Sequence, residues 1–180
     1  MRPMLRLTLF LGRFKRANTG ASAIEFAIVA LPFIVLMFAI FEVSLVYFAT
    51  TALENGVSAA ARQIRTGQAQ VSGLTSSQFK TLICDRIFPI LSCDGRLMVD
   101  VRRFDGFNMV AFPAALDGNG NLAGNTQFQM GAAGDVIVVR AYYSWPMLTP
   151  VATSFSDMSS GSRLLSASAA FRNEPFVIGN

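Results

Sequence analysis

Between Phe26 and Ala49 the chain runs for 24 residues with a single charge, Glu42. As a helix this run is about 36 Å long, enough to cross a hydrocarbon core of roughly 30 Å. Pro32 falls early in it and is expected to kink the helix or loosen its hydrogen bonds near Ile28. Two carboxylates frame the stretch, Glu25 just before it and Glu42 within it, seventeen residues apart. That spacing is about 26 Å along a helix axis, so the two cannot both sit deep in one leaflet. A charged side chain near a bilayer core costs roughly 2.5–3.5 kcal/mol, and an acid placed there calls for a functional reason. With Glu25 at the cytoplasmic edge, Glu42 approaches the opposite interface, where Tyr47 also belongs.

Charge fixes the direction of the span. Of 15 basic residues, five (Arg2, Arg6, Arg13, Lys15 and Arg16) precede Gly20 with no acid among them. The remainder has ten basic against eleven acidic residues, so the net charge of +4 belongs to the leader. Positive charge flanking a span is held on the cytoplasmic side, and the chain is expected to run from inside to outside. No basic stripe with interleaved aromatics follows Gly20, which argues against a nucleic-acid surface. The chain contains no histidine. This removes Ser-His-Asp and Cys-His catalysis and the commonest zinc ligand sets. A cleavable secretory signal fits poorly, because its apolar core should be 7–15 residues long and end at a small-x-small site.

The junction reads Gly20-Ala21-Ser22-Ala23-Ile24-Glu25-Phe26. A basic leader ending in Gly, then four residues, then Glu and an aromatic opening an apolar helix, resembles the Tad-type (tight adherence) pseudopilins of the TadE/TadF class, relatives of type IV prepilins. The resemblance implies that a membrane-embedded prepilin peptidase cuts between Gly20 and Ala21, leaving Glu25 as the fifth mature residue beside Phe26. Ala21 stands where ordinary type IV pilins have a methylated phenylalanine, which favours the Tad branch and leaves N-methylation open. Glu42 falls where this family places an acid just past the apolar core. The segment from Ala59 to Gly67 is similar to the alanine- and arginine-rich end of the family's helix, and Arg172-Asn173-Glu174-Pro175-Phe176 to its ending. Independently of the family, cutting frees an ammonium at Ala21, and a nearby carboxylate would neutralise a charge otherwise stranded in lipid. Glu25 is the candidate, in its own chain or in a neighbour's; the plainer reading is that it snorkels to the headgroups.

Nothing stops the helix at Ala49. Leu53, Val57, Ala60 and Ile64 form an apolar stripe of helical period, and Gly67 is the expected stop, with Arg62 and Arg65 near the last turn where cations oppose the dipole. One helix is therefore expected from about Ser22 to Thr66. Gly56 is a weak point in it, permitting close packing or a bend. Thr75-Ser76-Ser77-Gln78 reads as a capping box for a short helix through Ile87, leading into Pro89. Cys84 and Cys93 are nine residues apart. In an oxidising compartment a disulfide is expected, and the C-x-x-C spacing of a redox pair is absent. Leu97–Phe104, Asp135–Trp145 and Ser162–Arg172 alternate as strands, suggesting an antiparallel sheet with one apolar face covered by the Leu53–Ile64 stripe. Tyr142, Tyr143 and Trp145 are expected in the sheet and core. Two long loops, Leu116–Gly134 and Pro146–Gly161, are interaction surfaces or mobile. Asp117-Gly118-Asn119-Gly120-Asn121 invites a calcium reading, but an EF-hand wants glycine and glutamate where Leu122 and Phe128 stand.

The expected fold class is α+β and pilin-like: a long N-terminal transmembrane helix whose outer half packs on a small antiparallel sheet. The organisation is a leader over 1–20, removed on maturation, a transmembrane helix over 21–49, an exported helical extension over 50–67 and an exported α+β domain over 68–180. The resemblance implies a minor pseudopilin without catalysis or cofactor, bitopic in a bacterial inner membrane with its C-terminal domain periplasmic, that assists assembly or priming of a Tad/Flp pilus. Its implied partners are the prepilin peptidase, other Tad pilins and pseudopilins, inner-membrane platform proteins and the lipid bilayer, with no nucleic acid. Two alternatives stand beside it: a signal-anchored envelope protein with an independent binding domain, and a type II secretion pseudopilin.

Overall fold

A computed structural model describes residues 20–87, 91–93, 95–111, 113–149 and 152–177. The expected leader up to residue 19 and the turn at Pro89 lie outside the described residues. Helix α1 spans Ala21–Arg65, 45 residues, and continues unbroken through Pro32. Proline removes one backbone donor, and the helical ladder on either side carries the turn across it. The chain divides between Phe41 and Glu42 into two compact units, although α1 is continuous through the division.

In the first unit α1 is bare. Phe26, Ile28, Val29, Leu31 and Phe33 are all exposed, and no residue of the helix's most apolar 18-residue window is buried. Among the described residues α1 is the one helix long and apolar enough to cross a membrane, with a mean hydropathy of 2.6 in that window.

In the second unit α1 becomes a core helix. Ala49, Leu53, Val57, Ala60 and Ile64 are buried and pack with Val99, Val101, Val139, Ala141, Leu165 and Ala167 of a sheet. The architecture is α+β, a long helix contacting a three-stranded antiparallel sheet in a pilin-like arrangement. The strands are β1 (Leu97–Phe104), β2 (Val136–Pro146) and β3 (Ser162–Arg172), in the order β1-β2-β3. Leu97 pairs with Tyr143 and Phe104 with Val136, while Val136 pairs with Arg172 and Pro146 with Ser162. Alanines at 167 and 169 keep β3 thin beneath the helix.

Gly67 ends α1 with φ 78, where a side chain would be strained. Thr66 N–H donates to Arg62 O at 3.0 Å and Gly67 N–H to Ile64 O at 3.1 Å, using up the last carbonyls. A short helix α2, Gln68–Val71, follows; four residues are too few to show periodicity in the sequence. Helix α3, Ser76–Ile87, begins with the expected box: Thr75 N–H donates to Gln78 Oε1 at 2.9 Å, and Gln78 N–H returns to Thr75 Oγ1 at 3.3 Å. Gly56 lets α3 close on α1, since a Cβ there would stand 2.8 Å from Ile87 Cγ2. Cys84 and Cys93 are joined by a disulfide with Cα atoms 6.0 Å apart.

The sheet differs from a simple one-faced expectation. Strand β2 is buried on both sides, because Val136, Val138, Arg140 and Tyr142 are covered as well as Ile137, Val139, Ala141 and Tyr143. The cover is the long connection between β1 and β2. Its residue Gln127 accepts from Val101 N–H at 2.8 Å through its carbonyl, and Val101 O accepts from Gln129 N–H at 2.9 Å. That pairing also occupies the outer edge of β1.

Candidate functional site: the start of the long helix and its Glu42

Helix α1 starts at Ala21, immediately after Gly20. A Cβ on Gly20 would meet nothing within 4 Å, and its φ is not positive. Neither packing nor backbone conformation therefore requires glycine there, in contrast to Gly56 and Gly67. The residue is available to be read by something outside the chain. Glu25 and Phe26 lie one turn in and are both exposed. The Glu25 carboxylate has no partner among the described residues, so its charge is available to a group supplied from elsewhere.

Glu42 behaves oppositely. It is 2% exposed. Its Oε1 accepts from Leu148 N–H at 2.7 Å, its Oε2 from Thr149 N–H at 3.1 Å, and the Thr149 hydroxyl donates to Oε2 as well. Leu148 and Thr149 follow the end of β2, where the chain has left the ladder and its N–H groups need acceptors. A carboxylate taking three donors is a hydrogen-bonded clasp between α1 and the β2–β3 loop. The sequence marks the acid but not this partner, 106 residues away.

A second buried charge cluster escaped the sequence reading. Asp100 on β1 accepts from Arg140 Nη2 at 2.7 Å, from Arg102 Nε at 2.9 Å and from Gln127 N–H at 2.8 Å. Burial alone would raise its carboxyl, but the hydrogen bonds from Arg140, Gln127 and Arg102 outweigh this and hold it below the ordinary 3.8. Arg140 also lies 5.5 Å from the Tyr142 ring centre. Burial pushes the Tyr142 hydroxyl up, with Arg140 opposing. The available signal was Arg140 itself, a lone cation inside an otherwise apolar strand, which demands a carboxylate across the ladder; Arg140 and Asp100 are register partners. The cluster ties β1 to β2 and to the covering loop.

Among the described residues no three His, Cys, Asp or Glu side chains gather to hold a metal ion. The Asp117 carboxylate is engaged in its own turn, accepting from Asn119 N–H and Asn121 N–H, both at 2.9 Å. A cavity of about 510 Å³ lies between α1 and β3, lined by Asn55, Ser58, Arg62, Arg65 and Phe171 among others. Its lining holds one hydroxyl, Ser58, and no carboxylate or imidazole to act as a base.

Comparison with known proteins places the first of these features. The TadE-like protein family matches residues 20–62. The matched stretch begins at Gly20 and takes in both Glu25 and Glu42. No curated protein and no solved structure matches the chain.

Proposed function

We propose, from the premise that this chain belongs to the TadE-like family through residues 20–62, that it is a minor pseudopilin that assists assembly or priming of a Tad/Flp pilus. The family membership implies a role in the Tad pilus system, with components of that system as partners; the family is non-enzymatic in general. The observation that carries the finer reading is the contrast at the helix start. Gly20 has no packing or backbone reason to be glycine, Glu25 has no partner among the described residues, and both open a helix whose most apolar 18-residue window is uncovered.

On this reading the leader holds residues 1–20 on the cytoplasmic side until a prepilin peptidase cuts after Gly20. Residues 21–49 then span the inner membrane, 50–67 extend the helix, and 68–180 form the periplasmic domain. The new ammonium at Ala21 is neutralised by Glu25 of its own chain or of a neighbouring subunit, which sets the register of helices in the assembly. Sister pilins and pseudopilins, the platform proteins and the peptidase are the partners.

Deletion with complementation tests this. We expect loss or sharp reduction of surface pili on deletion, restoration by the wild-type chain, and failure of Glu25→Gln to restore them although it inserts normally. Unchanged piliation on deletion would remove the pilus role. Full rescue by Glu25→Gln would leave that role intact and remove the charge-partner role.

A further inference from the structure

We infer that the β2–β3 loop is a second membrane contact, with Leu148 and Phe155 entering the leaflet nearest the Glu42–Asn180 unit. The inference rests on the reading of α1 as a span. Leu148 and Phe155 are 63% and 65% exposed, side chains of a kind that water disfavours. The loop around them, Pro146–Gly161, has a single charged residue in 16, Asp157. That charge is turned back onto the sheet, accepting from Leu164 N–H at 2.6 Å.

Position identifies the occupant. The Glu42 clasp fixes Leu148 and Thr149 at the level of α1 where the apolar run is ending, and on the same unit Val43, Tyr47 and Phe48 of α1 are exposed. Phe155 is held close by. Thr153 N–H donates to Thr149 O at 3.3 Å, and Arg163 Nη1 to Phe155 O at 3.1 Å. The loop is thus tied to one face of a helix turn whose other faces carry exposed apolar side chains. Two exposed apolar side chains in a charge-poor loop beside a span are suited to shallow insertion among acyl chains. Glu42 explains how a buried acid can sit at that depth. Its charge is consumed by the loop, and in return the loop is pinned at the interface.

The test uses the full chain in phosphatidylcholine vesicles whose acyl chains carry bromine, which quenches tryptophan on contact. Trp145 is the sole tryptophan. Its indole N–H has no hydrogen-bond partner among the described residues, so Trp145→Phe gives a dark background without orphaning an acceptor. Single tryptophans are then placed by Leu148→Trp, Phe155→Trp, Val35→Trp in the span and Phe107→Trp. Phe107 is also exposed but follows the opposite end of β1, about 26 Å along the strand. We expect quenching at 148 and 155 to exceed that at 107 by at least about twofold and to approach that at 35, since shallow insertion still brings a ring against acyl chains. If position 35 is quenched while 148 and 155 match 107, the loop inference fails and the span stands. If 35 is also unquenched, the span reading fails and takes the inference with it.

Discussion

At the scale of single residues, the acids of this chain divide by what they can pair with. Glu25 is exposed without a partner among the described residues, Glu42 is hydrogen-bonded by a loop, and Asp100 is locked between two arginines. The last is the most consequential for folding. Replacing Asp100 by Ala leaves Arg140 buried without its counter-charge, and breaking a buried pair in this way costs about 3–5 kcal/mol. Denaturation of the full chain in detergent, followed at Trp145, should show a loss of that order. The pH dependence has a definite sign. Because the folded carboxyl titrates below 3.8, its stabilisation is fully present above 3.8 and is lost as pH falls through the lower folded value. Asp100→Asn should therefore flatten the part of the acid limb below 3.8, and an unchanged limb would deny the cluster its role.

At the scale of elements, the end of α1 is closed by the tail of the chain. Glu174 N–H donates to Arg65 O at 2.9 Å, and Asn173 Nδ2 reaches Met130 O and Ala132 O, both at 2.9 Å. The Arg65–Glu174 ion pair at 3.1 Å is half exposed on both sides and contributes little. The contact that matters is Phe176 over Gly67, where a Cβ would stand 2.3 Å from Phe176 Cγ. Gly67→Ala should cost about 1–2 kcal/mol from the left-handed backbone alone, and more with the ring present. In a Phe176→Ala background the cost should fall back to the backbone part, whereas strict additivity in a double-mutant cycle would show that the ring does not constrain Gly67. These elements were legible in the sequence to different degrees. Strands β1 and β3, read from the alternation of Leu97, Val99 and Val101 and of Leu165, Ala167, Ala169 and Phe171, match their sequence boundaries at both ends, and α1 and α3 were marked by an apolar stripe and a capping box. The second cover on β2 was not legible, because Val136, Val138 and Tyr142 read equally well as an apolar strand's other face until the connection carrying Pro113, whose carbonyl accepts from Arg140, is seen to reach it. Glu42 was visible as an acid in an apolar run; its pairing with Leu148 and Thr149 is a long-range fact that no local pattern encodes.

At the scale of the whole molecule, one helix serves two surroundings. Up to Phe41 its side chains are uncovered and suited to lipid; from Glu42 onward its stripe is the wall of a core. Net basicity is confined to the residues before Gly20, so the chain that remains after cutting there is close to neutral. We propose that Gly20 and Ala21 are a processing site rather than a helix start alone. Intact-mass measurement of the membrane-extracted protein, from otherwise identical cells with and without a prepilin peptidase, tests it directly. Processing at this bond should give a mature chain beginning at Ala21 when the peptidase is present and a chain still carrying residues 1–20 when it is absent. An uncut chain in both, or a cut at any other bond, would contradict it.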